Sequence, residues 1–91
     1  MKEAELQAKI IKALEADGWF VLKLIQTNKN GIPDLEIIKT GRVIFLEIKS
    51  DSGKVSDLQL YRIEQLKKFD TEAYLIKGWK GFVEFKKMIQ E

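Results

Sequence analysis

The dipeptide Thr40-Gly41 lies between two apolar runs in GIPDLEIIKTGRVIFLEIKS, Gly31 to Ser50, and it constrains the fold more than any other feature of the chain. A two-residue connection containing glycine closes a β-hairpin, and the turn then dictates the register. Lys39 pairs with Arg42, and each step outward pairs the next residues, so that Ile37 faces Ile44, Leu35 faces Leu46 and Asp34 faces Glu47. The strands expected on either side run from Asp34 to Lys39 and from Arg42 to Lys49. Directly opposed residues share a face, with Cβ atoms roughly 4.5–5.5 Å apart. The turn therefore drives two carboxylates into one small volume, and Lys49, two residues beyond Glu47, joins that face about 7 Å further along.

Two carboxylates side by side repel unless one is protonated or a cation separates them. The rest of the second strand is apolar in both registers, with Val43 and Phe45 on one face and Ile44, Leu46 and Ile48 on the other, the pattern of a strand buried on both sides. Charges at the end of such a strand make the opening of a site. Taken singly, a Glu-x-Lys is also an ordinary surface ion pair and an aspartate after Pro33 an ordinary turn residue. Neither accounts for acids set face to face.

Absences narrow the chemistry. The chain has no cysteine and no histidine, which removes thiol nucleophiles, disulfides, thiolate zinc sites, the usual general base and every Ser-His-Asp arrangement. Carboxylates, lysines and hydroxyls remain, and carboxylates suit hard cations such as magnesium. Sixteen basic against fourteen acidic residues give a formal charge of +2, which permits nucleic-acid binding without announcing it. The amino terminus MKEAELQAKIIKALEADG mixes acids and lysines through its apolar positions, unlike a signal or transit peptide, and no apolar run approaches the roughly 20 residues of a membrane span. The expectation is one soluble, cytoplasmic domain over residues 1–91.

Around the hairpin, Glu3 to Ala16 has helical periodicity, with Leu6, Ile10 and Leu14 on one face and Gly18 as a stop. Trp19–Ile25 reads as a strand and QTNKNG as a polar loop. After a second loop, SDSGKV, the sequence SDLQ fits a capping box at Ser56 and Gln59, opening a helix through LYRIEQLKKF. Thr71–Lys77 is a fourth strand, and after GWKG an amphipathic helix carries Phe82, Phe85 and Ile89. The predicted class is α/β, a mixed sheet flanked by helices in the order α-β-β-β-α-β-α.

Pro33-Asp34, a hairpin and then Glu47-Ile48-Lys49 resemble the signature of the PD-(D/E)XK nuclease superfamily, whose sheet is restriction-endonuclease-like. EAELQ, GIPDL, GRVIFLEIKS and GKVSDLQ stand in the order and approximate spacing of its VRR-NUC (virus-type replication-repair nuclease) branch. The resemblance implies a nuclease in which Asp34, Glu47 and the Ile48 carbonyl hold Mg²⁺ or Mn²⁺ while Lys49 positions the attacking water and offsets phosphate charge. It also implies an acidic ligand in the first helix. Glu3 and Glu5 are the two options, and the helical wheel favours Glu3, on the apolar face, over Glu5, about 200° away. Gln59 matches a glutamine that faces the metal-bound water or a phosphate, although capping with Ser56 is an equal reading. Lys29, Ser50, Ser52 and Lys54 flank the opening and are placed to meet DNA phosphates.

On the second helix Leu58, Tyr61 and Phe69 form one stripe while Leu60 and Ile63 lie toward the opposite face, more apolar surface than a small monomer covers. A homodimer would cover it, and by analogy with similar nucleases two linked sites suit branched DNA such as Holliday junctions or flaps, in a protein of phage or mobile-element origin. The function so implied is a metal-dependent DNA endonuclease. The alternative is a non-catalytic DNA-binding or assembly module on the same scaffold.

Overall fold

The computed structural model describes residues 1–90. In chain order its elements are α1 (Glu3–Ala16), β1 (Phe20–Lys23), β2 (Leu35–Lys39), β3 (Arg42–Lys49), α2 (Asp57–Lys68), β4 (Glu72–Lys77) and α3 (Gly78–Ile89). The sheet runs β1-β2-β3-β4, antiparallel through β3, with β4 parallel to β3. A parallel neighbour requires a crossover, and α2 is that connection.

The hairpin turn has positive φ at both central residues, 51° at Thr40 and 79° at Gly41, as a type I′ turn demands. The ladder follows the expected register from Lys39↔Arg42 to Leu35↔Leu46. It stops one step short of Asp34 and Glu47 because Asp34 uses its side chain there: its Oδ2 accepts the backbone N–H of Ile48 at 2.8 Å. The Asp34 carbonyl meanwhile accepts the N–H of Leu24 at 2.8 Å. β1 is also shorter than the apolar run Trp19–Ile25 suggests, since Trp19 donates its N–H to Leu14 at the end of α1 and Ile25 donates back to Lys23.

Alternation divides β3 between two unlike faces. Ile44, Leu46 and Ile48 are sealed, together with Leu35, Ile37 and Ile76, beneath Leu6, Ile10 and Leu14 of α1 and Phe82, Phe85 and Ile89 of α3. On the other face α2 packs chiefly against β4, and its one buried residue is Ile63. Val43 and Phe45 there are only half-buried, and Phe20 and Leu22 on the edge strand are exposed. The two-sided burial expected for β3 is therefore met only near its end, at Glu47.

GWKG is not a linker. It forms the first turn of α3, because Trp79 stacks on Phe82 with ring centroids 5.0 Å apart and lies beneath the Lys9 ammonium, 4.0 Å from the ring centre. Gly78 opens this helix at φ +71°, and a Cβ there would collide with the Asp51 carboxylate. Gly78→Ala is accordingly expected to lower stability by about 2–3 kcal/mol through strain and displacement of Asp51. Gly41→Ala is the control: it shares the positive φ but has open space around it, and should lose about 1 kcal/mol. Thermal melts of the two variants measure the difference.

Candidate active site

Among the described residues Glu47 is the buried charged residue, 1% exposed, in a molecule whose other large buried side chains are apolar. Strand alternation aims it at α2, where its Oε2 accepts a hydrogen bond from the Gln59 Nε2 at 3.2 Å and lies 3.6 Å from the Lys49 Nζ. Its Oε1 is buried with no partner. Burial first, and then the neighbouring Asp34 carboxylate, push Glu47 up to about 8, against the opposing pull of Lys49. The hairpin thus brings Asp34, Glu47 and Lys49 to one end of the sheet, and without a cation the acids hold a proton near neutrality.

This arrangement fits a divalent ion. A buried carboxylate oxygen without a donor is costly, and it sits in a pair of acids whose mutual repulsion a dication relieves. Among the described residues no three acidic side chains converge as a ready-made cage. The side chains therefore offer two carboxylates, hard oxygen donors of the kind divalent cations take.

The remaining predicted residues lie on α1, α2 and the loops flanking the strands. Glu3 is exposed and does not join the two acids. Its Oε1 accepts the backbone N–H of Ser50 at 3.3 Å, holding the chain immediately after Lys49. Glu5, on the same first turn, is exposed. Ser50 also accepts the N–H of Gly53 through its carbonyl, at 3.0 Å, so the loop bearing Ser52 and Lys54 folds back toward the strand end. Both of those residues are exposed. Lys29 is exposed on the polar loop before Asp34, where its N–H is held by the Thr27 Oγ1 at 3.3 Å. Gln59 serves both readings at once: it completes the capping box with Ser56 and still donates to Glu47.

Two features had no usable signal in the sequence. Lys77 stands beside Lys49 in the parallel register of β3 and β4, a placement that depends on a crossover whose register no turn fixes. In addition, α2 grips the loop that leads to Asp34: the Arg62 Nε donates to the Asn30 carbonyl at 2.8 Å, and Leu58 packs so closely on Gly31 that a Cβ there would lie 2.6 Å from its Cγ.

A mixed sheet with helices on both faces, opening at one strand end onto an acid pair and a lysine, is a nuclease-like fold. The sequence matches the model of the VRR-NUC domain over residues 1–80, and the chain belongs to the VRR-NUC family. A solved structure titled "VRR_NUC domain" superposes with a TM-score of 0.84 over 96% of each chain at 24% identity, showing that the fold is shared. Comparison with curated proteins finds no match.

Proposed function

We propose that this chain is a DNA endonuclease that hydrolyses phosphodiester bonds with Mg²⁺ or Mn²⁺, selective for branched or otherwise structured DNA. The observation that carries the reading is the Asp34–Glu47 pair, with the buried Glu47 Oε1 lacking any donor and the Lys49 ammonium 3.6 Å from the other oxygen. Asp34, Glu47 and the Ile48 carbonyl would hold the ion. When bound, it supplies a water of lowered pKa and draws charge from the phosphoryl oxygen.

The chain's own groups do the rest. Lys49 is 14% exposed, which leaves its ammonium poorly solvated and therefore effective against charge developing on a phosphate. Its attraction to Glu47 also fixes where that ammonium rests. Lys29, Lys54, Ser50 and Ser52 supply phosphate contacts along the rim, and Lys77 adds one beside Lys49. Glu3 orders the Lys49–Ser50 peptide. A purified sample given duplex, flap and four-way-junction DNA, with metal omitted and then added, should cut only with metal and prefer the branched substrates. DNA binding without cutting under any of these conditions would favour the non-catalytic reading.

The apolar surface of α2 supports a homodimer. Leu58, Leu60 and Tyr61 of α2 and Phe69 at its C-terminal cap are 42%, 43%, 58% and 75% exposed, so that beside them only Ile63 is buried in the protomer. Sedimentation at micromolar concentration should give twice the 10.6 kDa chain mass; Leu60→Glu with Tyr61→Glu should halve it. A monomeric parent would remove the dimer from the account.

A further inference from the structure

The capping box of α2 has a second consequence. Its two bonds close a ring: the Ser56 Oγ accepts the N–H of Gln59 at 3.1 Å, and the Gln59 Oε1 accepts the N–H of Ser56 at 2.9 Å. A primary amide carries an acceptor oxygen and a donor nitrogen on the same planar carbon, so that committing the oxygen to one partner turns the nitrogen toward another. With Oε1 committed to Ser56, Nε2 points away from the helix end, and it reaches the Glu47 Oε2 at 3.2 Å.

We propose that Ser56 is a positioning residue for the active site, acting through Gln59 to hold the Glu47 carboxylate in the rotamer that leaves Oε1 free for the metal. The proposal rests on the metal-dependent reading above.

Several observations converge on it. Glu47 is nearly sealed from water, so solvent does not orient its carboxylate. Lys49 and Gln59 both engage the same oxygen, Oε2, and together they leave the other one unpartnered. Were the amide turned over, its oxygen would face the carboxylate, and the contact would become repulsive. Ser56 forbids that turn. A cap held by Ser56 alone would need only a good N-terminal residue; a cap that also orients Glu47 needs the glutamine amide, with donor and acceptor on one planar carbon. Groups that orient a metal-bound carboxylate commonly change metal affinity about 10–100-fold when removed.

The test uses the whole chain in three variants. Ser56→Ala removes the hydroxyl half of the ring. Ser56→Pro, compatible with the φ of −80° at that position, removes both the hydroxyl and the N–H that Gln59 holds. Ser56→Thr preserves both. In ¹⁵N-labelled protein without metal, the Gln59 side-chain amide signals should be displaced from free-amide positions in the parent and in Ser56→Thr, shift toward them in Ser56→Ala, and coincide with them in Ser56→Pro. Mn²⁺ titration should then show affinity weakened about tenfold or more in Ser56→Pro and restored in Ser56→Thr.

Unchanged Gln59 amide signals in the proline variant, or parental Mn²⁺ affinity accompanied only by a lower melting temperature, would reduce Ser56 to a helix cap and overturn the proposal. If the parent binds no Mn²⁺, the functional reading fails on its own. The amide signals still decide whether Ser56 orients Gln59.

Discussion

Asp34→Asn is expected to lower DNA cleavage by about 10³-fold or more while leaving the fold intact. The asparagine keeps a side-chain oxygen that can accept the Ile48 N–H, which the Asp34 Oδ2 takes at 2.8 Å, so the hairpin end should hold. What disappears is one of the two charges that make the pair attractive to a dication. Relief of repulsion against Glu47 should make the metal-free variant no less stable than the parent. Retained stability with lost cleavage separates a site residue from a turn residue. Lys49→Met is the companion variant: it should also cut about 10²–10³-fold more slowly but still bind metal. Single-turnover cleavage of a radiolabelled junction, with a thermal melt of each sample, checks both.

The second large effect concerns stability. Glu47 is pushed from 4.5 up to about 8, chiefly by burial and then by Asp34, so between those values the metal-free folded protein holds a proton that the unfolded chain has released. Stability from this group is complete below about 4.5, falls as pH rises, and is lost once pH passes about 8. Melting in the presence of chelator should therefore drop steadily from pH 5 to pH 8. Glu47→Gln has no charge to bury. Its melting temperature should change far less over that range, and at pH 8 and above its unfolding free energy should exceed the parent's by a few kcal/mol, a pKa displaced by one being worth about 1.4 kcal/mol. It should also fail to cut DNA. Saturating Mg²⁺ should flatten the parent's decline by replacing the proton. A parent profile as flat as the variant's would mean that Glu47 is not held in its neutral form.

Local rules carried the hairpin a long way. One turn set the register from Lys39 to Leu35, and with it the convergence of Asp34 on Glu47, because a period of two leaves no freedom once the turn is placed. The ends of α1 and β3 were legible for similar reasons: Gly18 stops the helix, and the charges after Ile48 mark where the strand meets solvent. Long-range packing decided the features that were missed. GWKG looks like a turn, yet Trp79 finds Phe82 and Lys9 and draws the segment into α3. Glu3 sits on the apolar side of the wheel, but only the folded loop shows that its carboxylate reaches the Ser50 N–H instead of joining the acids. The pairing of Lys77 with Lys49 depends on how α2 returns the chain to the sheet. Gln59 posed a choice between cap and site that sequence alone leaves open, since a capping box is read from spacing while the direction of an amide is not.

Calorimetric titration of Mg²⁺ or Mn²⁺ into the chelator-treated protein at pH 7, in two buffers of different ionisation enthalpy, tests the central claim most directly. Saturable binding that releases a proton is expected, because Glu47 must ionise to accept the ion, together with loss of that binding in both Asp34→Asn and Glu47→Gln. Binding that persists in either variant, or a parent that takes up no divalent ion, would contradict that claim.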